Sequence, residues 1–214
     1  ELEGYYWDSM ARGMTEPSEV LPELAQLASS MSFIDHQQIK SSQRIVEIGV
    51  GPMTIGSAVF QFPDSSITGV DPLPPIQFVC KHPPLHDYIM WLRSKVNFVQ
   101  SMGEKMPFED ASFDVVVSHN CIDHCQSALE ILKEGYRVLK PGGTFLLSLN
   151  TFSLFGRTKF ELMRMLKPRV PIYVQHPWTF RHNQIIGHLE ALGLKVVKHR
   201  GLGADLIGKA RVSG

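Results

Sequence analysis

Few cysteines, no net charge and no long apolar run are what this sequence lacks, and each shortage removes a class of protein. Three cysteines in 214 residues, Cys80, Cys121 and Cys125, make an odd count without metal-ligand spacing. That argues against a disulfide framework and a metal module, and suits a reducing cytoplasm. Twenty-one basic and 21 acidic residues cancel, so no overall field draws nucleic acid or an anionic membrane, and a small-molecule partner is expected. No apolar run approaches the roughly 20 residues that cross a bilayer, and Glu1-Leu2-Glu3-Gly4 does not read as a signal peptide. The chain begins without methionine, which leaves room for residues ahead of Glu1. Repeats and low-complexity segments are absent. With 43% hydrophobic and 20% charged residues, the length suits one domain with its own core.

What is present starts with Arg44-Ile45-Val46-Glu47-Ile48-Gly49-Val50-Gly51, a buried strand running into a glycine turn. Gly49 and Gly51 let the backbone turn tightly and approach a ligand, while Glu47 can anchor the turn. A helix is expected from about Thr54 to Phe60, then a strand over 66–71 that ends in Asp71. A carboxylate there, about twenty residues past the turn, is placed to hold a ribose. A loop and helix follow over 72–94, a third strand over 96–100, and the valines Val115, Val116 and Val117 form a central strand. His119, Asn120, Cys121, Ile122, Asp123 and His124 lie at its carboxyl end, where open α/β sheets bind ligands. The apolar spacing of Ala128, Leu129, Ile131, Leu132, Tyr136, Val138 and Leu139 predicts a helix stopped by Pro141-Gly142-Gly143. A fifth strand covers 144–149 and an amphipathic helix 155–166. Thr179 is expected to cap a helix over 182–192, and strands over 194–199 and 206–212 form a hairpin. Before the first strand, Tyr5, Tyr6 and Trp7 read as an arm. The spacing of Leu21, Leu24, Leu27 and Ala28, then Met31, Phe33 and Ile34, suggests one or two helices.

Four runs in this order resemble class I S-adenosylmethionine-dependent methyltransferases: Glu47-Ile48-Gly49-Val50-Gly51, Asp71, the stretch from Glu104 through Pro107-Phe108-Glu109-Asp110-Ala111-Ser112-Phe113-Asp114, and Tyr136-Arg137-Val138-Leu139-Lys140-Pro141-Gly142-Gly143. The match covers about residues 40–212. Asn120-Cys121-Ile122-Asp123-His124 further resembles the Asn-x-x-Asp-His of a small-molecule branch. The resemblance implies an α/β fold: a doubly wound, Rossmann-like, seven-stranded sheet in the order 3-2-1-4-5-7-6, the last strand antiparallel, with helices on both faces. Residues 1–40 would form an arm and possible substrate cover, 41–214 the cofactor domain, and about 151–178 a helical insertion. S-adenosyl-L-methionine is the implied cofactor. Glu47, Gly49 and Gly51 match the turn around its methionine part, Asp71 the ribose acid, Leu73, Gly103 and Glu104 the adenine surroundings, and Asn120 the strand end under the sulfonium. Two positions depart from the pattern: Met53 replaces a third glycine, and Met102 replaces an adenine-binding acid.

The expected function is methyl transfer to a small-molecule acceptor, at oxygen or nitrogen in preference to carbon. A protein that binds the cofactor without catalysis, serving as a partner or regulator, is the alternative, and Met53 and Met102 are its support. A nicotinamide-dependent oxidoreductase shares the turn and the acid, but leaves the Leu-Lys-Pro-Gly-Gly run unexplained. The absence of an Asp/Asn-Pro-Pro-Tyr motif after the fourth strand weighs against amide and base amino-group methylation. For catalysis, histidine is suited to accept a hydroxyl proton near neutral pH. His124 is the first choice and His119 the second, with Asp123 to orient either ring, unless Asp123 and His124 merely cap the following helix. His176, in a Gln175-His176-Pro177-Trp178 loop expected to return to the same edge, is a candidate substrate contact, as are Tyr6, Trp7 and Arg157, the last with Lys159 and Arg164 for an anionic acceptor. No metal is expected.

Overall fold

The computed structural model describes residues 15–29, 43–167, 169–170, 176–200 and 203–210. The aromatic arm with Tyr6 and Trp7 and the apolar residues Met31, Phe33 and Ile34 lie outside these residues.

Alternation along the strands decides where the helices go. Seven strands make one sheet: β1 Arg44–Ile48, β2 Ser66–Asp71, β3 Val96–Gln100, β4 Phe113–His119, β5 Leu139–Asn150, β6 Leu194–Arg200 and β7 Gly203–Ala210. Their order is β3-β2-β1-β4-β5-β7-β6. The first five pair in parallel, and β7 runs antiparallel to both β5 and β6. Odd positions Ile45, Val115 and Val117 and the even Leu146 pack on one face with Val20 and Leu24 of α1 Pro17–Ser29, Ala58 and Val59 of α2 Ala58–Gln61, and Ile89 and Leu92 of α3 Pro83–Ser94. Val46, Ile48, Val116, Phe145 and Leu147 turn to the other face, against Ile131 and Leu132 of α4 Ala128–Val138 and Ile185 and Leu189 of α6 His182–Ala191. Both faces are covered, so these strands read as continuous apolar runs. Helix α5, Leu154–Leu166, is the exception, since it buries no residue.

Four expectations need correction. The helix after the glycine turn starts at Ala58, not Thr54, because Thr54 stands at φ +55°, outside the helical region. Pro141 and Gly142 do not separate α4 from the fifth strand. β5 begins at Leu139, and the pairing with β4 slips between Phe113↔Leu139 and Val115↔Thr144, with Gly142 at φ +76°. Thr179 does not cap α6; its hydroxyl donates to Glu161 at 2.7 Å, and the N-cap is Arg181, whose N–H donates to the Gln184 side chain. The last strand spans Gly203–Ala210, three residues earlier than the expected start.

Candidate active site

The carboxyl ends of β1, β2 and β4 meet around the glycine turn. Gly49 at φ +80° and Gly51 at φ +67° occupy the region that disfavours side chains. Gly49 has a second requirement: a Cβ there would stand 2.3 Å from Cys121 Sγ and 2.6 Å from its Cβ. The loop after β4 is therefore seated directly on the turn. Asp71, 7% exposed, holds that turn from the next strand. Its Oδ2 accepts the Gly51 N–H at 2.9 Å and its Oδ1 the Leu73 N–H at 3.0 Å.

Glu47 anchors the turn from below. Strand alternation sends its side chain to the face that carries α2, where Oε1 accepts the Ser57 N–H and hydroxyl and Oε2 the Ala58 N–H, each at 2.8 Å. Burial pushes its carboxyl above the ordinary value, against those hydrogen bonds, which favour the charged form. The structure thus makes Glu47 a positioning residue for the start of α2. Met53 folds into the core at 8% exposure and does not obstruct the turn, whereas Met102 is 38% exposed.

Gly103 sits where a Cβ would be 2.7 Å from Ile48 Cγ2 and 3.1 Å from Ile131 Cδ1, so the loop after β3 lies close on the end of β1. Glu104 beside it accepts the Ser127 N–H through Oε1 at 3.1 Å. Asn120 turns the chain out of β4 at φ +47°, a conformation asparagine tolerates, and its N–H donates to the Ser148 carbonyl at 2.7 Å. Its Oδ1 accepts from Asn150 Nδ2 at 3.3 Å.

The turn of residues 121–124 brings Asp123 and His124 together with a distant partner. Asp123 is 2% exposed, and its Oδ2 lies 2.9 Å from His176 Nδ1 and 3.9 Å from His124 Nε2. The two imidazole rings are 4.1 Å apart between centroids. Two bonds dock the segment after His176 onto this turn: the Trp178 backbone N–H reaches the Asp123 carbonyl at 3.4 Å, and the indole N–H the Cys125 carbonyl at 2.9 Å. The segment therefore does return to this edge. Asp123 orients His176 more closely than His124, and His119, the last residue of β4, is not in the group. Neither Asp123 nor His124 caps α4, because Ser127 does. Cys121 and Cys125 stay thiols: burial and the surrounding carboxylates push Cys121 up, and Cys125 is pushed to about 12.

Arg157 and Arg164 line an open cleft of about 340 Å³ with Glu161, Trp178 and His188. Both already have chain partners: Arg157 donates to Gln184 Oε1 at 3.0 Å and Arg164 to the Pro177 carbonyl at 2.8 Å. Leu154, Phe155, Met165 and Leu166 of α5 are each more than 60% exposed.

A parallel five-stranded core extended by the antiparallel β7 between β5 and β6, with a glycine turn after β1 and an acid at the end of β2, has the Rossmann-like methyltransferase fold. Residues 46–147 match the family model described as methyltransferase domain, and that stretch is a class I S-adenosylmethionine-dependent methyltransferase domain. It is 28% identical over 102 residues to demethylmenaquinone methyltransferase of Chlorobaculum tepidum, covering 47% of this chain and 38% of that protein. It is likewise 28% identical over 126 residues to phosphoethanolamine N-methyltransferase 3 of Arabidopsis thaliana, covering 57% and 24%. The matches thus span well under half of these relatives' length. Among solved structures, 1,6-didemethyltoxoflavin-N1-methyltransferase of Burkholderia thailandensis, bound to its acceptor and S-adenosylhomocysteine, superposes with a TM-score of 0.65 at 14% identity, over 98% of this chain and 88% of that one.

The family's cofactor, S-adenosyl-L-methionine, fits the residues present. Gly49 and Gly51 offer backbone without side chains, and the Asp71 carboxylate, held by the Gly51 and Leu73 N–H groups at the end of β2, is of the chemistry that accepts ribose hydroxyls. Bound there, the cofactor supplies an electrophilic methyl group. Among the described residues, no helix is long and apolar enough to cross a membrane.

Proposed function

We propose that this protein transfers a methyl group from S-adenosyl-L-methionine to a small-molecule acceptor, at oxygen or nitrogen in preference to carbon. The observation that carries the reading is the trio Asp123, His124 and His176, one loop away from the glycine turn and joined to it by Cys121 on Gly49. A heteroatom acceptor must shed a proton, and an imidazole beside a carboxylate is suited to take it. His124 is the first candidate for that base, with His176 fixed by Asp123 as its neighbour and His119 behind them. Holding the acceptor in line with the methyl group contributes up to about 7–11 kcal/mol by proximity alone. Helix α5, with its exposed apolar residues and Arg157, serves as the acceptor's cover, joined in this proposal by Tyr6 and Trp7. Leu73, Met102, Gly103, Glu104 and Asn120 border the cofactor.

Calorimetry of the purified chain with S-adenosylhomocysteine and with NAD tests the reading. Saturable one-to-one binding of the first is expected. Binding of NAD alone overturns it.

A further inference from the structure

Asp123, His124 and His176 each place one ligand-capable atom within 4.8 Å of the other two. We propose that the trio is a binding site for a divalent transition-metal ion of the zinc type. The inference rests on the reading above only in sharing its site.

The donor set comes first. Two imidazole nitrogens and one carboxylate oxygen suit zinc and its cobalt, nickel and ferrous neighbours, whereas calcium and magnesium prefer oxygen throughout. Distances come next. Two atoms bound to one ion at about 2.0–2.1 Å stand roughly 2.9–3.4 Å apart for angles between octahedral and tetrahedral. The Asp123 Oδ2 to His176 Nδ1 separation of 2.9 Å already fits, and the 3.9 Å to His124 Nε2 has to shorten by about 0.5 Å for the ring to share the ion.

The carboxylate supplies an independent observation. Asp123 is 2% exposed, yet its Oδ1 is buried and no donor among the described residues reaches it. A buried, half-satisfied carboxylate is costly, and a cation held through Oδ2 neutralises its charge, while one held through both oxygens also satisfies Oδ1. The ligands are also held from outside the trio. The two Trp178 bonds to the Asp123 and Cys125 carbonyls fix the His176 segment on the 121–125 turn, so the site does not depend on the ion to bring its two halves together.

Three protein ligands leave coordination positions open, as in catalytic rather than structural metal sites. An acceptor hydroxyl bound there releases its proton to solvent near neutral pH, and no electrons change hands. Metal-loaded protein would then deprotonate its acceptor by coordination, and metal-free protein by an imidazole.

The test is a titration of chelator-treated full chain with Co²⁺, followed by its visible ligand-field absorption, and with Zn²⁺ by calorimetry. One equivalent of each is expected to bind with a micromolar or lower dissociation constant. Asp123→Asn, His124→Ala and His176→Ala are each expected to weaken binding at least about tenfold, the scale on which altered metal surroundings act. S-adenosylhomocysteine affinity, measured on the same samples, reports folding; a variant that loses it is replaced by His124→Gln or His176→Gln. Absence of saturable one-to-one binding overturns the proposal, as does binding that the substitutions leave unchanged, which would mark an adventitious ion on other histidines. Since no methyl donor enters the titration, its failure leaves the methyltransferase reading standing, and that reading has its own test in cofactor binding.

Discussion

The carboxylate of Asp123 meets the ring of His176 at 2.9 Å across a sequence separation of 53 residues, while His124, the next residue in the chain, stands 3.9 Å from the same oxygen. Chain adjacency therefore does not decide which imidazole the acid holds. The tight turn closed by the His124 N–H on the Cys121 carbonyl carries His124 to the side, and Trp178 brings His176 in. The acid and the ring arrive on separate elements, so removing either leaves the other's backbone in place.

Asp71 is expected to matter twice. Asp71→Ala removes the acceptor for the Gly51 and Leu73 N–H groups, and leaving such donors unpaired costs about 1–3 kcal/mol of stability. Loss of the ribose contact adds at least a tenfold drop in S-adenosylhomocysteine affinity, since charge-assisted hydrogen bonds contribute about 1.5–3 kcal/mol. Urea denaturation and calorimetry separate the two effects. An unaltered dissociation constant removes Asp71 from the site.

Gly49→Ala is expected to be severe. The added methyl group meets the Cys121 side chain at 2.3 Å, at a φ of +80°, so both sterics and backbone strain oppose it. Strain of this kind costs of order 1–3 kcal/mol. Adding Cys121→Gly relieves the clash and not the strain, so the double variant is expected to recover part of the lost stability. No recovery would show that the contact with Cys121 is immaterial.

Glu47 ties stability to pH. Its folded carboxyl is raised above 4.5 by burial, so the folded state holds the proton more tightly than the unfolded chain. The contribution to stability is then fully present below 4.5 and falls as pH rises through the folded value. Glu47→Gln is expected to abolish that slope in pH-dependent denaturation. It also turns an amide toward a backbone N–H of Ser57 or Ala58, at a cost of about 1–3 kcal/mol. An unchanged slope would assign the effect to another group.

Much of the fold was legible because the family runs are structural devices that bind one another. Arg137 donates to Glu134, Asp110 and the Phe108 and Met106 carbonyls, and Lys140 donates to Asp114, which also accepts the Arg44 N–H. The Pro-Phe and Leu-Lys-Pro-Gly-Gly runs are thus two halves of one bonded corner. Legibility failed where a contact, not a local preference, set the conformation. Thr54 is held out of the helix while Arg93 donates to its hydroxyl, and Thr179 turned to Glu161 instead of capping. Sequence brought Asp123 to His124 or His119 and offered the His176 loop as one returning to the same edge, but the pairing of Asp123 with His176 and the two Trp178 hydrogen bonds that dock it are long-range contacts with no local signal.

That corner should be a source of stability. Arg137→Ala unpairs two carbonyls and two carboxylates around a guanidinium that is 32% exposed. After allowance for solvent screening at its outer rim, a loss of about 2 kcal/mol is expected. Denaturant unfolding reads it directly, and a change below about 0.5 kcal/mol would reduce the corner to a surface contact.

The histidines carry the last expectation, in chelator-treated protein with the true acceptor. General base catalysis contributes typically about 10²–10⁴ in rate, so His124→Ala is expected to lower turnover at least about a hundredfold while S-adenosylhomocysteine affinity holds. His176→Ala separates two arrangements. If His176 only steadies its neighbour across the 4.1 Å ring contact, its loss is smaller than that of His124→Ala, and Asp123→Asn matches His176→Ala, because the acid then acts through that ring. If His176 is itself the base, it carries the larger loss and His124→Ala the smaller. His119→Ala, outside the group, is expected to be mild. Losses below tenfold for His124→Ala, His176→Ala and His119→Ala alike would mean that proximity to the methyl group alone, or another base, drives the reaction.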